Sequence, residues 1–242
     1  MHMPPAIKQT CEDLTQESEE MDLLERILFY DNGYEIIANY DVGYGVRKHL
    51  DDKGSFRFCG LAHPNTKFSN ESHAVPEFFG NHQLILNSEC DSCNKYFSDH
   101  LEDSLDKYTR HHRTIGQIKG KTRKAPSYKS RDCRARLDVK NDENPRILAR
   151  RDEPHFSLNT DTRTAILRFQ IPAYIPVAVY KGLVKIALSI IDREKLLDFT
   201  GAIKWIREPD HTYIKDRPFH PLQILKRYVP GPRPFPKLKL MI

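Results

Sequence analysis

Between Ser72 and Asn94 the chain reads SHAVPEFFGNHQLILNSECDSCN, and this stretch decides the fold. A short strand ends in His73, Pro76 opens a loop, and Gly80-Asn81 supplies the chemistry of a tight turn. Cys90-Asp91-Ser92-Cys93-Asn94 then opens a helix. The outcome is a compact hairpin followed by a helix, with His73 and Asn94 expected to face one metal-sized space. Two thiolates at this spacing grip one tetrahedral zinc. Cys59, followed by Gly60 as in knuckle turns, offers a third thiolate, but Phe56 stands where a second Cys-x2-Cys would need a cysteine. His63 is therefore the candidate fourth ligand. The competing reading of the three thiols is apolar packing without zinc.

Outward from this stretch, the 242 residues suit one or two domains. Hydrophobic residues make up 39% and charged residues 29%, which fits a folded globular chain rather than a disordered one. No run of about 18 apolar residues exists, so no membrane span is expected. The start, MHMPPAIKQT, has no apolar signal core. Five cysteines do not make a disulfide scaffold, and the expected compartment is the reducing cytoplasm. Gly-x-Ser-x-Gly and phosphate-loop motifs are both absent, which argues against serine hydrolysis and against nucleotide hydrolysis of the phosphate-loop kind.

The flanks differ in charge. Residues 8–25 carry seven carboxylates, and Leu14, Met21, Leu24, Ile27 and Leu28 fall at helical spacing, so an amphipathic acidic helix is expected over 12–29. Residues 107–136 hold eleven cations against the single acid Asp132. Lys119, Lys121, Arg123 and Lys124 form the centre of an expected phosphate-contacting strip, which would carry affinity without sequence information. Short strands are expected at 136–140, 146–149 and 164–171. Pro176 starts an apolar helix running to Ile191, which must bury itself or meet a partner. A second helix is expected over 193–200, followed by a Pro-rich tail. Cys11 and Cys133 read as ordinary thiols, and Trp205, Tyr213 and Phe219 as core.

His73 with Pro76, then Asn81, then Cys90, Cys93 and Asn94 resemble the HNH endonucleases, whose fold is a β-hairpin and a helix around one metal (the ββα-metal, or His-Me, finger). The wording FCG, SHAVPEFFGN and ECDSCNKYFSDHLED is similar to a bacterial branch that includes effectors of anti-phage defence. The likeness is specific over 59–103 and looser over 55–200. It implies that His73 is the general base, that Asn94 ligates magnesium or manganese, and that Asn81 holds the turn and orients His73. The three cysteines would be structural. One departure is Ser72, where the family often has a second metal-ligating Asp. Glu71, His82, His100 and Glu102 are the candidate replacements, His100 being disfavoured because it lies nearly opposite Asn94 on a helix.

The resulting expectation is an α+β protein. It has an acidic region over 1–54, a ββα-metal module over 55–116, a basic linker over 117–136 and a C-terminal α+β domain over 137–242. The expected activity is DNA phosphodiester hydrolysis with low sequence specificity. A homo-oligomer or a regulatory partner is expected to restrain it, and no membrane association is foreseen. The alternative is a zinc-knuckle module that binds nucleic acid without cutting it.

Overall fold

The computed structural model describes residues 32–33, 35–54, 56–61, 64–138, 146–149, 154–211 and 237–241. The expected acidic helix, Cys11, His63, Tyr213, Phe219 and the prolines between 218 and 236 lie outside them. Helices and strands are both present, an α+β architecture. No helix among the described residues is long and apolar enough to cross a membrane. The chain divides into two compact units, residues 1–39 with 239–242 and residues 40–238. Strand β1 (Ile36–Asp41), whose first four residues belong to the smaller unit, pairs with β9 (Lys237–Met241).

The larger unit is built around the quoted stretch. Strand β2 (Lys48–Leu50) runs parallel to β3 (Leu84–Leu86), with His49 opposite Ile85. Three consecutive apolar residues suit β3, because all three are buried. The other edge of β3 takes His73 as an antiparallel bridge partner of Ile85. Ala74 N donates to Leu84 O (3.2 Å) and Leu86 N to Ser72 O (2.7 Å). The connection is a 3-10 turn over Glu77–Phe79, ended by Gly80 at φ +82°, a left-handed conformation that favours glycine.

Helix α1 (Asp91–Phe97) passes through a π turn (Ser98–Glu102) into α2 (Asp103–Ile115). Cys93, Phe97, Leu101 and Leu105, four residues apart, are buried along one face. Helix α3 (Pro176–Ile190) has Pro176 in its first turn, as expected. A Cβ on its Gly182 would lie 3.1 Å from Leu105 Cδ2, so α2 and α3 cross closely there. The apolar residues of α3 are largely buried within the chain, and so, unexpectedly, are Lys181 and Lys185. Beyond α3 come a 3-10 helix (Arg193–Phe199) and α4 (Thr200–Ile206), whose Trp205 is buried as the core reading required.

The strand expected at 146–149 is observed as such, the one expected at 136–140 is seen from Ala135 to Asp138, the last described residue of that stretch, and the one expected at 164–171 ends at Leu167. β4 (Tyr128–Lys129), β5 (Ala135–Asp138) and β6 (Arg146–Ala149) form one antiparallel sheet, and β7 (Phe156–Asn159) pairs with β8 (Thr164–Leu167). Residues 117–127, the greater part of the expected linker, fold back on the hairpin. A Cβ on Gly120 would stand 3.3 Å from Phe78 Cα, and Ile118 closes on Gly80 in the same way. The described parts of 55–116 and 137–211 therefore belong to one compact unit.

Candidate active site and cysteine cluster

The turn is clamped by Asn81, which is fully buried. Its Nδ2 donates to Val75 O (2.7 Å) and Leu84 O (3.0 Å), and its Oδ1 accepts from Gln83 N (3.1 Å) and Leu84 N (2.9 Å). All four bonds go to the backbone of the turn and of β3. Asn81 thus acts on His73 through the strand pairing, not by a bond to the ring.

His73 projects from the edge strand into a cleft of about 280 Å3 lined by Tyr44, Arg47, Glu71, Glu77, His82 and Arg123, among others. Its Nε2 faces Glu71 Oε1 (3.9 Å) and Glu77 Oε1 (3.8 Å). Its Nδ1 is buried, with no hydrogen-bond partner among the described residues. Burial holds the imidazole below its ordinary pKa of 6.5, outweighing Glu77 and Glu71, which favour the cation; nearby His82 and Arg47 lower it further. The ring is therefore neutral at pH 7, as a proton acceptor must be.

Alternation along the strand explains what Ser72 cannot supply. Residues two apart share a face, so Glu71 and His73 turn to the cleft while Ser72 points inward, its Oγ donating to Glu89 O (3.4 Å). Of the candidate replacements for the missing Asp, Glu71 and His82 line the cleft. His100 instead stacks on Tyr96 (4.6 Å), and Glu102 lies 3.9 Å from Lys185 Nζ. Asn94 is half-buried on α1 and is not among the cleft-lining residues. It shares a helix face with Asp91 three residues earlier, whose Oδ1 accepts from Ser69 N and Asn70 N (both 2.9 Å). The expected meeting of Asn94 with His73 is therefore not seen in this cleft, which is lined from the chain before β2, from the His73 turn and from Arg123.

The basic strip splits by position. Lys121 Nζ stands 3.8 Å from Glu77 Oε2, and the Arg123 guanidinium lies 5.6 Å from the Tyr44 ring centroid. Tyr44 stacks on His82 at 4.3 Å. Lys119 is half-buried and Lys124 exposed, and neither lines the cleft. Tyr44, Arg47 and Glu77 were not singled out as site residues from the sequence. For Arg47 and Tyr44 no local signal existed, because they come from the chain before β2.

Cys59, Cys90 and Cys93 converge, with their sulfurs within 4.8 Å of one another. Cys59 and Cys90 are 3.6 Å apart. Gly60 adopts φ +72°, and Leu61 N donates to Cys59 Sγ (3.4 Å), a knuckle geometry. Burial opposes ionisation of Cys90, but hydrogen bonds involving Ser92, Thr66 and Cys93 bring its thiol down to about 7. Burial, then the neighbouring Cys59 and Cys90, push the Cys93 thiol far up. Three sulfurs this close, one of them readily ionised, suit a thiophilic ion such as zinc. Among the described residues no other group of three or more His, Cys, Asp or Glu is gathered as tightly.

Comparison with known proteins finds no matching family model, no matching curated protein and no matching solved structure.

Proposed function

We propose that the chain is a metal-dependent endonuclease of the HNH kind that hydrolyses DNA phosphodiester bonds with low sequence specificity, acting as a bacterial defence effector. The observation that carries this reading is the placement of the His73 imidazole, its Nε2 facing Glu71 and Glu77, in a cleft that also holds guanidinium groups. His73 accepts the proton of the attacking water. Arg123, and Arg47 on exchanging its exposed ion pair with Glu71 (2.6 Å), meet the phosphate oxygens as donors. Asn81 keeps the turn closed so that the imidazole stays in place. Magnesium or manganese takes oxygen donors of the kind that Glu71 and Glu77 place in the cleft, and the family resemblance assigns it a further ligand in Asn94, which does not line that cleft. When bound, such an ion neutralises charge on the phosphoryl oxygens. Zinc on Cys59, Cys90 and Cys93, with His63 as fourth ligand, has a structural role, and Lys119, Lys121 and Lys124 add non-specific phosphate affinity.

The second reading, a zinc-knuckle nucleic-acid-binding module without catalysis, is favoured by the cysteine cluster alone. Supercoiled plasmid and RNA, incubated with and without magnesium, separate the two. The nuclease reading expects magnesium-dependent nicking that His73→Ala abolishes while binding persists. Plasmid that stays supercoiled with the parent protein leaves only the binding module. A self-associated or partner-bound resting state, proposed because such an activity needs restraint, is read by sedimentation at micromolar concentration.

A further inference from the structure

A second cleft, of about 250 Å3, opens on a different face of α2. Lys107, Arg110, His111 and Thr114 line it at helical spacing, so they form one stripe. Across from them stand Tyr128 and Lys129 of β4 and the segment Gln170–Pro172. Among the described residues no carboxylate lines this cleft, in contrast to the His73 cleft, which holds two glutamates. Lys107 and Arg110 are paired with Asp103 and Asp106 one turn back. Both cations are partly exposed, so these pairs are weak and exchangeable for a phosphate. The far wall offers the ring of Tyr128 with Ile171 and Pro172 beside the polar Ser127, Lys129 and Gln170, and it is braced. The Tyr128 ring meets Phe169 edge-on at 4.6 Å, and its hydroxyl accepts from Gln170 N (2.9 Å).

We infer that this cleft is a subsite for one nucleoside phosphate. The phosphate sits on the cationic wall of Arg110 and Lys107, and the base lies against Tyr128, Ile171 and Pro172. The volume, about 250 Å3, falls just below the usual range for ligand clefts, about 300–1,000 Å3, so a nucleotide would seat its phosphate and base against the walls with part of the unit left in solvent. Stacking of a base on an aromatic ring contributes about 1–3 kcal/mol, a factor of roughly 5 to 150 over phosphate alone. The ligand has two possible sources, a free mononucleotide or one nucleotide of a strand. The strand source rests on the proposed nuclease reading; the nucleotide chemistry does not.

The test is calorimetric titration of the full-length chain, which needs no catalysis and so stands apart from the nicking assay. The probes are adenosine 5′-monophosphate, inorganic phosphate and a 5′-phosphorylated thymidine tetranucleotide. The variants are Arg110→Gln with Lys107→Gln, and separately Tyr128→Ala, with circular dichroism as the check on folding. Monophosphate binding that either variant weakens about tenfold or more supports a free-nucleotide site. The same loss seen with the tetranucleotide alone supports a strand subsite. Inorganic phosphate binding as tightly as the nucleotides, affinities unchanged in folded variants, or no binding of any probe at about 1 mM overturns the inference.

Discussion

Replacing Lys185 by Met tests the packing that holds the hairpin against α3. Lys185 Nζ lies 2.9 Å from Glu89 Oε2, with the two side chains only 2% and 0% exposed. The same ammonium donates to the backbone carbonyl of His73 (3.2 Å) and stands 3.9 Å from Glu102. The outer edge of the strand bearing His73 is thus capped by a cation from α3. Burial raises the Glu89 carboxyl above its ordinary value of 4.5, and Lys185 works against that rise. Both carboxylate oxygens of Glu89 are buried without a well-aligned hydrogen bond among the described residues, so the ion pair with Lys185 is what offsets their burial. Removing the ammonium leaves an uncompensated buried charge, at a cost of about 3–5 kcal/mol. For a chain of this size that lowers Tm by roughly 6–20 °C. Pairing Lys185→Met with Glu89→Leu should recover most of the loss, since apolar replacement of a whole buried pair is nearly neutral.

The pH dependence has a definite sign. A carboxyl whose folded pKa lies above its unfolded one binds more protons in the native state between the two values, so stability falls as pH rises through that window. The window opens at about 4.5 and widens in Lys185→Met, because the lowering influence of the ammonium is gone. The deficit of the variant should therefore shrink as the pH is lowered toward 4.5. Urea unfolding at several pH values measures all of this. A single variant within about 1 kcal/mol of the parent at pH 7 would show that the pair is not the buried, coupled unit described, and would falsify the argument.

Other expectations follow from the same contacts. The acid limb of cleavage should lie below pH 6.5, since burial depresses His73. Glu77→Gln should move it lower still, because Glu77 favours the imidazolium; a rate profile that moves upward contradicts that assignment. Asn81→Ala removes four hydrogen bonds from a buried turn and should cost about 2–5 kcal/mol, with loss of amide protection at Gln83 and Leu84 in hydrogen exchange. Purified protein should carry zinc that Cys93→Ser reduces severely, and chelation should lower Tm; metal analysis showing only traces in the parent protein removes the zinc site.

Much of the local architecture was legible. Gly80-Asn81 marked the turn, the Cys-x2-Cys pair marked the helix start, and Pro176 with its apolar run marked α3, because capping, turn chemistry and periodicity act over a few residues. The three cysteines were legible as a cluster for a related reason, since each sits at a turn or helix start. Ser72 read as a gap in the site, however. Only the pairing of residues 72–74 with β3 showed that Glu71, two positions before His73, turns to the same face.

The sequence by itself determined the Gly80-Asn81 turn, the helix opened by the Cys-x2-Cys pair, the apolar helix from Pro176 and the chemistry their residues carry, since backbone preference and side-chain identity are properties of short segments. Tertiary structure alone decided which of those groups meet. Arg47 and Tyr44 enter the His73 cleft from the chain before β2, the supposed linker folds back so that Lys121 faces Glu77, and two lysines on an apolar helix become core residues. Lys185 reaches a backbone carbonyl 112 positions away. Contacts of that span leave no periodic trace in the chain, because they are selected by the packing of whole elements rather than by any local preference.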